Sequence, residues 1–120
     1  MMTTNESSTS DRLQRFERNR QNLAAAQPAA MEAFWRLHEK TTATGALERK
    51  TKELIALAIS VVMRCDDCIA HHASDALKAG ATREQIADAL AVATLMGGGV
   101  GLVYATHAIE AVDQLLDQPK

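Results

Sequence analysis

Apolar side chains recur at the spacing of an α-helix along most of the 120-residue chain. A first, mostly polar helix is predicted to begin at Asp11 and to be loosely attached to the rest. Pro28, which suits the first turn of a helix, opens a second predicted helix that ends within the segment 41–45. The stretch 1–10, rich in Ser and Thr, predicts a disordered polar tail, so the folded domain is expected to span 11–120.

The second half of the chain predicts four more helices. Their expected ranges are about 48–63, 66–79, 82–96 and 100–116. The third helix begins charged and becomes apolar nearly all round, which indicates burial on most faces and a subunit contact. Gly80 suits the end of the fourth helix, Thr82 and Gln85 form a capping box for the fifth, and the glycines 97–99 are expected to separate it from the last.

The composition favours an all-α fold, a single-domain bundle of five to six helices. Only four residues are aromatic, so aliphatic side chains must fill the core, which favours helices over a sheet. The net charge of −2, with no basic tract, argues against a nucleic-acid partner. The longest apolar stretch is predicted at 54–63, which is too short to span a bilayer. No signal peptide is recognisable. A cytoplasmic protein with no membrane partner is expected, in a compartment where thiols stay reduced.

The two cysteines carry the most concentrated chemistry in the chain. Cys65 and Cys68 fall where the third helix ends and the fourth begins. Their spacing at a helix start puts both side chains on one side, close enough for a disulfide after a small rearrangement. The helix N-terminus favours the thiolate, whereas the neighbouring Asp66 and Asp67 oppose it. A moderately activated thiol is therefore expected.

His72 follows Cys68 by one helical turn and could take its proton directly or through one water. His71 points about 100° away on the helix and is expected at the surface or an interface. If the third and fourth helices pack antiparallel, Glu53 would face the later part of the fourth helix and orient His72. The alternative is that Glu53 pairs with a basic residue one turn earlier in its own helix.

The run 52–58, followed by Cys65-Asp66-Asp67-Cys68-Ile69-Ala70-His71-His72, resembles the alkylhydroperoxidase D-like branch of the carboxymuconolactone decarboxylase superfamily. That pattern, a Glu followed by Cys-x-x-Cys-x-x-x-His, is met by Glu53, Cys65, Cys68 and His72. The resemblance spans roughly 47–111 and includes 80–86 and 96–99. It implies an all-α fold and assembly into homo-trimers or homo-hexamers.

The resemblance implies a thiol-dependent hydroperoxidase that needs no cofactor or metal. Cys68 would attack the hydroperoxide, Cys65 would resolve the product, His72 with Glu53 would relay protons, and an external dithiol would regenerate the pair. The family's peroxidases often carry a second histidine between the cysteines, where this chain has Asp67. The decarboxylases lack the cysteine pair, so their lactone chemistry is not expected.

Two other functions stay open for the same residues. The first is a protein disulfide reductase or redox sensor that exchanges with protein partners and ignores peroxides. The second is a non-enzymatic helical oligomer in which Cys65, Cys68 and His72, with His107 or Glu53, bind zinc. Structural zinc sites usually draw their ligands from two paired motifs, and the chain has one such pair. No role is assigned to His38 or His107 otherwise.

Overall fold

The computed structural model of the protein describes residues 8–118, which form five α-helices and no strand. The helices are α1 (Thr9–Ala26), α2 (Pro28–Thr42), α3 (Arg49–Val62), α4 (Asp66–Lys78) and α5 (Arg83–Leu116). The predicted all-α fold is confirmed. Pro28 occupies the first turn of α2, as its fixed backbone angle predicts.

The start of α1 differs from the prediction. Ser8 is the N-cap, and its hydroxyl oxygen accepts a backbone hydrogen bond from the first turn. The buried Thr9 donates from both its backbone N–H and its hydroxyl to Gln114 of α5. Residues 8–10 therefore belong to the folded domain and not to the predicted tail, whose positions 1–7 lie outside the described residues. α1 is also tied to the bundle at its first turn instead of being loosely attached.

The predicted signals between α4 and α5 are confirmed. Gly80 has φ +97°, the conformation that glycine adopts most easily, and the chain leaves α4 there. The Thr82 hydroxyl accepts from the Gln85 backbone N–H, while the Gln85 side chain accepts from the Thr82 N–H. This reciprocal pair is the capping box that opens α5.

The glycines separate two helical segments of α5, as predicted. Only Gly98 leaves the helical conformation within α5, with φ +66° and ψ −149°. The chain reverses direction there, because Arg83 at the start of α5 donates to Asp113 near its end at 2.7 Å. Three residues later, a Cβ at Gly101 would lie 3.0 Å from the Ala93 carbonyl oxygen, closer than a side chain normally approaches. Glycine at these two positions lets the second half of α5 turn back closely against the first.

The apolar segment within α5 is longer than the predicted stretch 54–63, but the chain reverses direction at Gly98 in the middle of it. The segment 89–106 contains no charged side chain, and α5 meets the length and composition of a membrane span, with 22% of its most apolar window buried in the bundle. The same helix supplies Ile86, Leu90 and Val112 to the core. A core helix of a globular bundle and a membrane span share this composition, so length and hydropathy do not separate them.

The core lies between α3, α4 and α5. Its largest fully buried apolar side chains are those of Leu57, Val61, Ile69, Ile86 and Val112, and alanines fill most of the remaining space. This confirms the expected aliphatic core, in which small side chains let helices approach closely.

The outer sides of α3 and α5 are apolar and exposed in the single chain. The side chains that form this α3–α5 apolar surface are Ile55, Ile59, Val62, Met63, Val92, Leu95, Met96 and Val100. A Cβ at Gly97 would lie 3.8 Å from Val62 Cγ2, so the end of α3 abuts the α5 kink. α3 is thus not buried on most faces by its own chain, and its apolar outer side is open to another molecule.

Candidate functional site

The turn from α3 to α4 positions the two cysteines. Arg64 has φ +59°, a left-handed conformation that a residue with a side chain adopts at a cost. Its backbone N–H donates to the Val61 carbonyl at 3.1 Å, and the Cys65 N–H donates to the Ser60 carbonyl at 3.1 Å. This is the helix-ending pattern usually formed around glycine, and it brings Cys65 directly to the start of α4.

Cys65 and Cys68 form a disulfide, with 5.2 Å between their Cα atoms. Cys65 is the N-cap of α4, and its Sγ accepts a hydrogen bond from the Cys68 backbone N–H at 3.2 Å. Cys68 is exposed, whereas Cys65 is half-buried. The first turn of α4 therefore stabilises negative charge on Cys65, while Cys68 is the sulfur that a substrate can reach.

The two aspartates between the cysteines each have a partner. Asp66 Oδ1 lies 2.8 Å from His107 Nδ1 of α5, and Asp67 Oδ1 lies 3.0 Å from an Arg12 guanidinium nitrogen of α1. A partner close to each carboxylate reduces its electrostatic effect on the neighbouring sulfurs. The expected opposition of Asp66 and Asp67 to thiolate formation is therefore weakened, by residues that sequence reasoning did not connect with the site.

Glu53 and His72 meet as the antiparallel packing of α3 and α4 predicts. His72 Nδ1 lies 2.8 Å from Glu53 Oε1, and Glu53 is only 1% exposed. Glu53 thus pairs across the helix interface instead of with a basic residue of its own helix. A buried carboxylate is stable when it is hydrogen-bonded, and this bond fixes the His72 ring. With Nδ1 donating to the carboxylate, a neutral His72 keeps Nε2 as a proton acceptor.

His71 is half-buried and belongs to a group of rings between α2 and α4. Its ring centroid lies 5.8 Å from that of His38, 6.3 Å from that of Trp35 and 5.2 Å from that of His72. Burial lowers the pKa of His71 below its ordinary value, and the nearby Asp75 opposes that shift. Trp35 and His38 stand three positions apart on one side of α2, the only signal that could have indicated this group from the sequence.

The zinc set considered as an alternative is not brought together. Across residues 8–118, two groups of three His, Cys, Asp or Glu ligand atoms lie close enough for a metal, and neither includes a cysteine. His107 instead contacts Asp66. The two groups are His38 with His71 and Asp75, and Glu53 with His72 and Asp75.

Two cavities contact residues of α4. One, of about 720 Å³, is lined by Arg12, Asp66, His107 and Gln114 among others. The other, of about 480 Å³, is lined by His38, Glu53, His71 and Asp75 among others. Neither of these two cavities is lined by Cys65 or Cys68, and Cys68 is exposed.

Comparison with known proteins identifies relatives over most of the chain. Residues 28–111 match the model of the carboxymuconolactone decarboxylase family. An uncharacterised protein of Cupriavidus necator is 46% identical over 104 residues, which cover 87% of this chain and 92% of that protein. Uncharacterised protein 4 in the cox locus of Paracoccus denitrificans is 39% identical over 84 residues, covering 70% and 76%.

Two solved structures are similar in fold as well as in sequence. A carboxymuconolactone decarboxylase family protein from Legionella pneumophila superposes with a TM-score of 0.86 at 37% identity, covering 88% of this chain and 95% of its own. A family protein from Thermotoga maritima, for which involvement in an antioxidative response has been suggested, gives a TM-score of 0.69 at 34% identity, covering 74% and 92%. The family match and these similarities together establish that the chain belongs to the carboxymuconolactone decarboxylase family.

Proposed function

We propose that the protein is a thiol-dependent hydroperoxidase that cycles between a Cys65/Cys68 dithiol and the disulfide. The observation that carries this proposal is the 2.8 Å contact between Glu53 and His72, on the helix that bears the exposed Cys68 one turn earlier. An imidazole oriented by a carboxylate can act as the base that activates a nearby nucleophile. The exposed member of the cysteine pair is the one that meets the peroxide.

In the oxidative half of the cycle, His72 takes the Cys68 proton directly or through one water. The thiolate attacks an oxygen of the hydroperoxide, the O–O bond breaks, and Cys68 becomes a sulfenic acid. The other oxygen leaves as an alcohol and takes the proton held by His72. The Cys65 thiol then attacks the sulfenic sulfur, which forms the disulfide and releases water. The two thiols together supply the two electrons that reduce the peroxide.

An external dithiol supplies the electrons for the return step. Its thiolate attacks the exposed Cys68 sulfur, and Cys65 leaves as a thiolate, which the Cys68 backbone N–H and the start of α4 stabilise. The second thiol of the reductant then displaces Cys68, which restores the dithiol and releases an oxidised reductant. Such a cycle needs a reducing compartment, so we place the protein in the cytoplasm.

The comparisons support this proposal at the level of the family. The suggested antioxidative role of the Thermotoga maritima protein is consistent with peroxide reduction. The roles of Glu53, Cys65, Cys68 and His72 follow the motif shared with the alkylhydroperoxidase D-like branch, and the contact of Glu53 with His72 is the geometry that those roles require.

The test is a thiol titration with intact mass, before and after one equivalent of an organic hydroperoxide. Reduced protein is expected to lose both thiols and the mass of two hydrogens. Cys65→Ser should stop at a sulfenic acid that a dimedone-type probe labels, whereas Cys68→Ser should not react. Full peroxide turnover by Cys68→Ser, or wild-type thiols that stay intact for minutes, would refute the proposal.

The proposed proton relay has its own matched pair of variants. His72→Ala is expected to slow thiol oxidation by roughly 10²–10⁴-fold, the usual contribution of a general base. His107→Ala also removes a helical histidine that contacts a carboxylate, but outside the relay. It leaves Asp66 without that partner, so it should slow thiol oxidation slightly and far less than His72→Ala does. Equal losses in both variants would remove His72 from the mechanism.

A protein disulfide reductase or redox sensor is the second candidate. It is favoured by the Cys68 N–H bound to Cys65 Sγ, because a stabilised leaving thiolate assists exchange with any dithiol. It is also favoured by Asp67, which stands where peroxidases of the family often have a histidine. Reduction of a protein disulfide such as that of insulin, without consumption of peroxide, would select this function.

We further propose that the chain forms a homo-trimer or homo-hexamer through the α3–α5 apolar surface. Leu95 is 79% exposed there in the single chain, and apolar surfaces of this kind mark interfaces. A second copy is the occupant we favour, because closed symmetric assembly buries the same surface on every chain. Light scattering should show that Leu95→Glu dissociates the assembly, while Leu37→Glu on α2, at a position 62% exposed, does not. A monomeric wild type would contradict this.

A further inference from the structure

We propose that His38, His71 and Asp75 bind a divalent transition-metal ion of the zinc type. His38 lies on α2, and His71 and Asp75 lie one turn apart on α4. One ligand atom of each residue lies within 4.8 Å of the other two. None of the three takes part in the proposed thiol cycle, so the site is a separate property of the fold.

Two buried imidazole nitrogens at this site lack a hydrogen-bond partner in the described part of the chain. The Nε2 atoms of His38 and His71 are buried, and neither has a hydrogen-bond partner among residues 8–118. A buried polar atom without a partner is destabilising, so two of them in one group of rings need a physical explanation. A metal ion explains both at once, because neutral imidazole nitrogens and carboxylate oxygens are its usual ligands.

The spacing of the donor atoms also fits a bound metal ion. His71 Nε2 lies 3.2 Å from Asp75 Oδ2, in a direction that does not make a hydrogen bond. Ligands at zinc-type bond lengths in tetrahedral geometry stand about 3.3 Å apart, so this pair already has the required separation. His38 supplies a ring nitrogen from the other helix, within 4.8 Å of the other two donor atoms.

The cavity at the site is suited to a hydrated cation. It has a volume of about 480 Å³, which leaves space for water in the coordination positions that the protein does not fill. Three carboxylates line it, those of Glu39, Glu53 and Asp75, against the two cations Arg49 and Lys78. The side chains therefore give the cavity a net negative charge.

The donor set also selects the kind of metal. Two imidazoles and one carboxylate suit zinc and its first-row neighbours, whereas magnesium and calcium prefer oxygen ligands alone. An ion held by three residues would join α2 to α4, which otherwise meet through the rings of Trp35, His38 and His71. Metal binding should therefore raise the melting temperature.

The experiment is a calorimetric titration of zinc chloride into tag-free, chelator-stripped protein in the oxidised form. Oxidation removes both cysteine sulfurs as ligands, so binding cannot come from Cys65 and Cys68. We expect one zinc ion per chain and a higher melting temperature. His38→Ala and His71→Ala should each weaken zinc binding by at least about tenfold, and the matched control His107→Ala should bind like the wild type.

A second measurement needs no substitution, in case a variant does not fold. Nitrogen NMR of the oxidised wild type should show the Nε2 resonances of His38 and His71 shifting with zinc while those of His107 stay in place. No zinc binding by the oxidised wild type, an equal loss in His107→Ala, or unshifted His38 and His71 resonances would each overturn the proposal.

Discussion

Gly98 and Gly99 are neighbours in α5 that differ mainly in backbone conformation. Gly98 has φ +66° and ψ −149°, whereas Gly99 is not among the glycines with positive φ. A Cβ at either position would meet no heavy atom within 4 Å. An alanine substitution therefore introduces no clash at either residue, and its effect is set by the backbone alone.

The structure predicts opposite effects for the two substitutions. Gly98→Ala forces a side chain into a conformation that only glycine adopts easily, at a cost of about 1–3 kcal/mol. Gly99→Ala replaces a helical glycine and is expected to stabilise by about 0.5–1 kcal/mol. The reduced entropy of the unfolded chain is the same in both variants. It therefore cancels, and the free energies of unfolding of the two variants should differ by the strain alone, about 1–3 kcal/mol.

Urea unfolding followed by far-ultraviolet circular dichroism measures this difference. All three proteins are compared at one concentration, because assembly would make stability depend on concentration. At roughly 4 °C per kcal/mol for a domain of this size, the melting temperatures should differ by about 4–12 °C. Equal stabilities of the two variants would show that Gly98 is not strained by a side chain and that the kink does not depend on glycine.

Three further outcomes are expected. Glu53→Gln should slow peroxide-driven thiol oxidation by roughly 10²-fold or more, measured by stopped flow, because the amide cannot stabilise a protonated His72; an unchanged rate would contradict the relay. Arg64→Gly should raise the free energy of unfolding by up to about 1 kcal/mol, since glycine removes the left-handed strain; a loss in urea unfolding would contradict this. Hydrogen bonds from Arg20 and Gln21 lower the pKa of Glu17 from 4.5 to about 2. Its contribution to the free energy of unfolding is therefore present above pH 4.5 and is lost as the pH falls towards 2. Because Glu17 is half exposed, Glu17→Gln should cost less than about 1 kcal/mol at neutral pH and nothing in strong acid.

Local signals in the sequence were sufficient where a helix end depends on neighbouring residues. Pro28, Gly80 and the Thr82/Gln85 pair marked ends that the structure confirms, because each acts on its own backbone. The first turn of α1 was missed, since Thr9 is held by Gln114 far along the chain. The break in α5 was also placed correctly, because only glycine adopts the backbone conformation of Gly98 easily.

The contacts of the candidate site were likewise predictable only where local structure determines them. Glu53 and His72 could be paired from the sequence because a short turn joins α3 to α4 and fixes their antiparallel packing. The partners of Asp66 and Asp67 could not, because they come from α5 and α1. The His38, His71 and Asp75 group depends on where α2 lies against α4, which no local spacing determines.

The short separation of the two cysteines has a consequence for folding thermodynamics. They stand three positions apart, so the disulfide closes a very small ring. By the loop-entropy relation, a ring of this size stabilises the native state by only about 2 kcal/mol. The aliphatic core of α3, α4 and α5 lies outside that ring and forms with or without it. In the proposed cycle, opening and closing of this bond is therefore a local chemical event, and the reduced chain should remain folded.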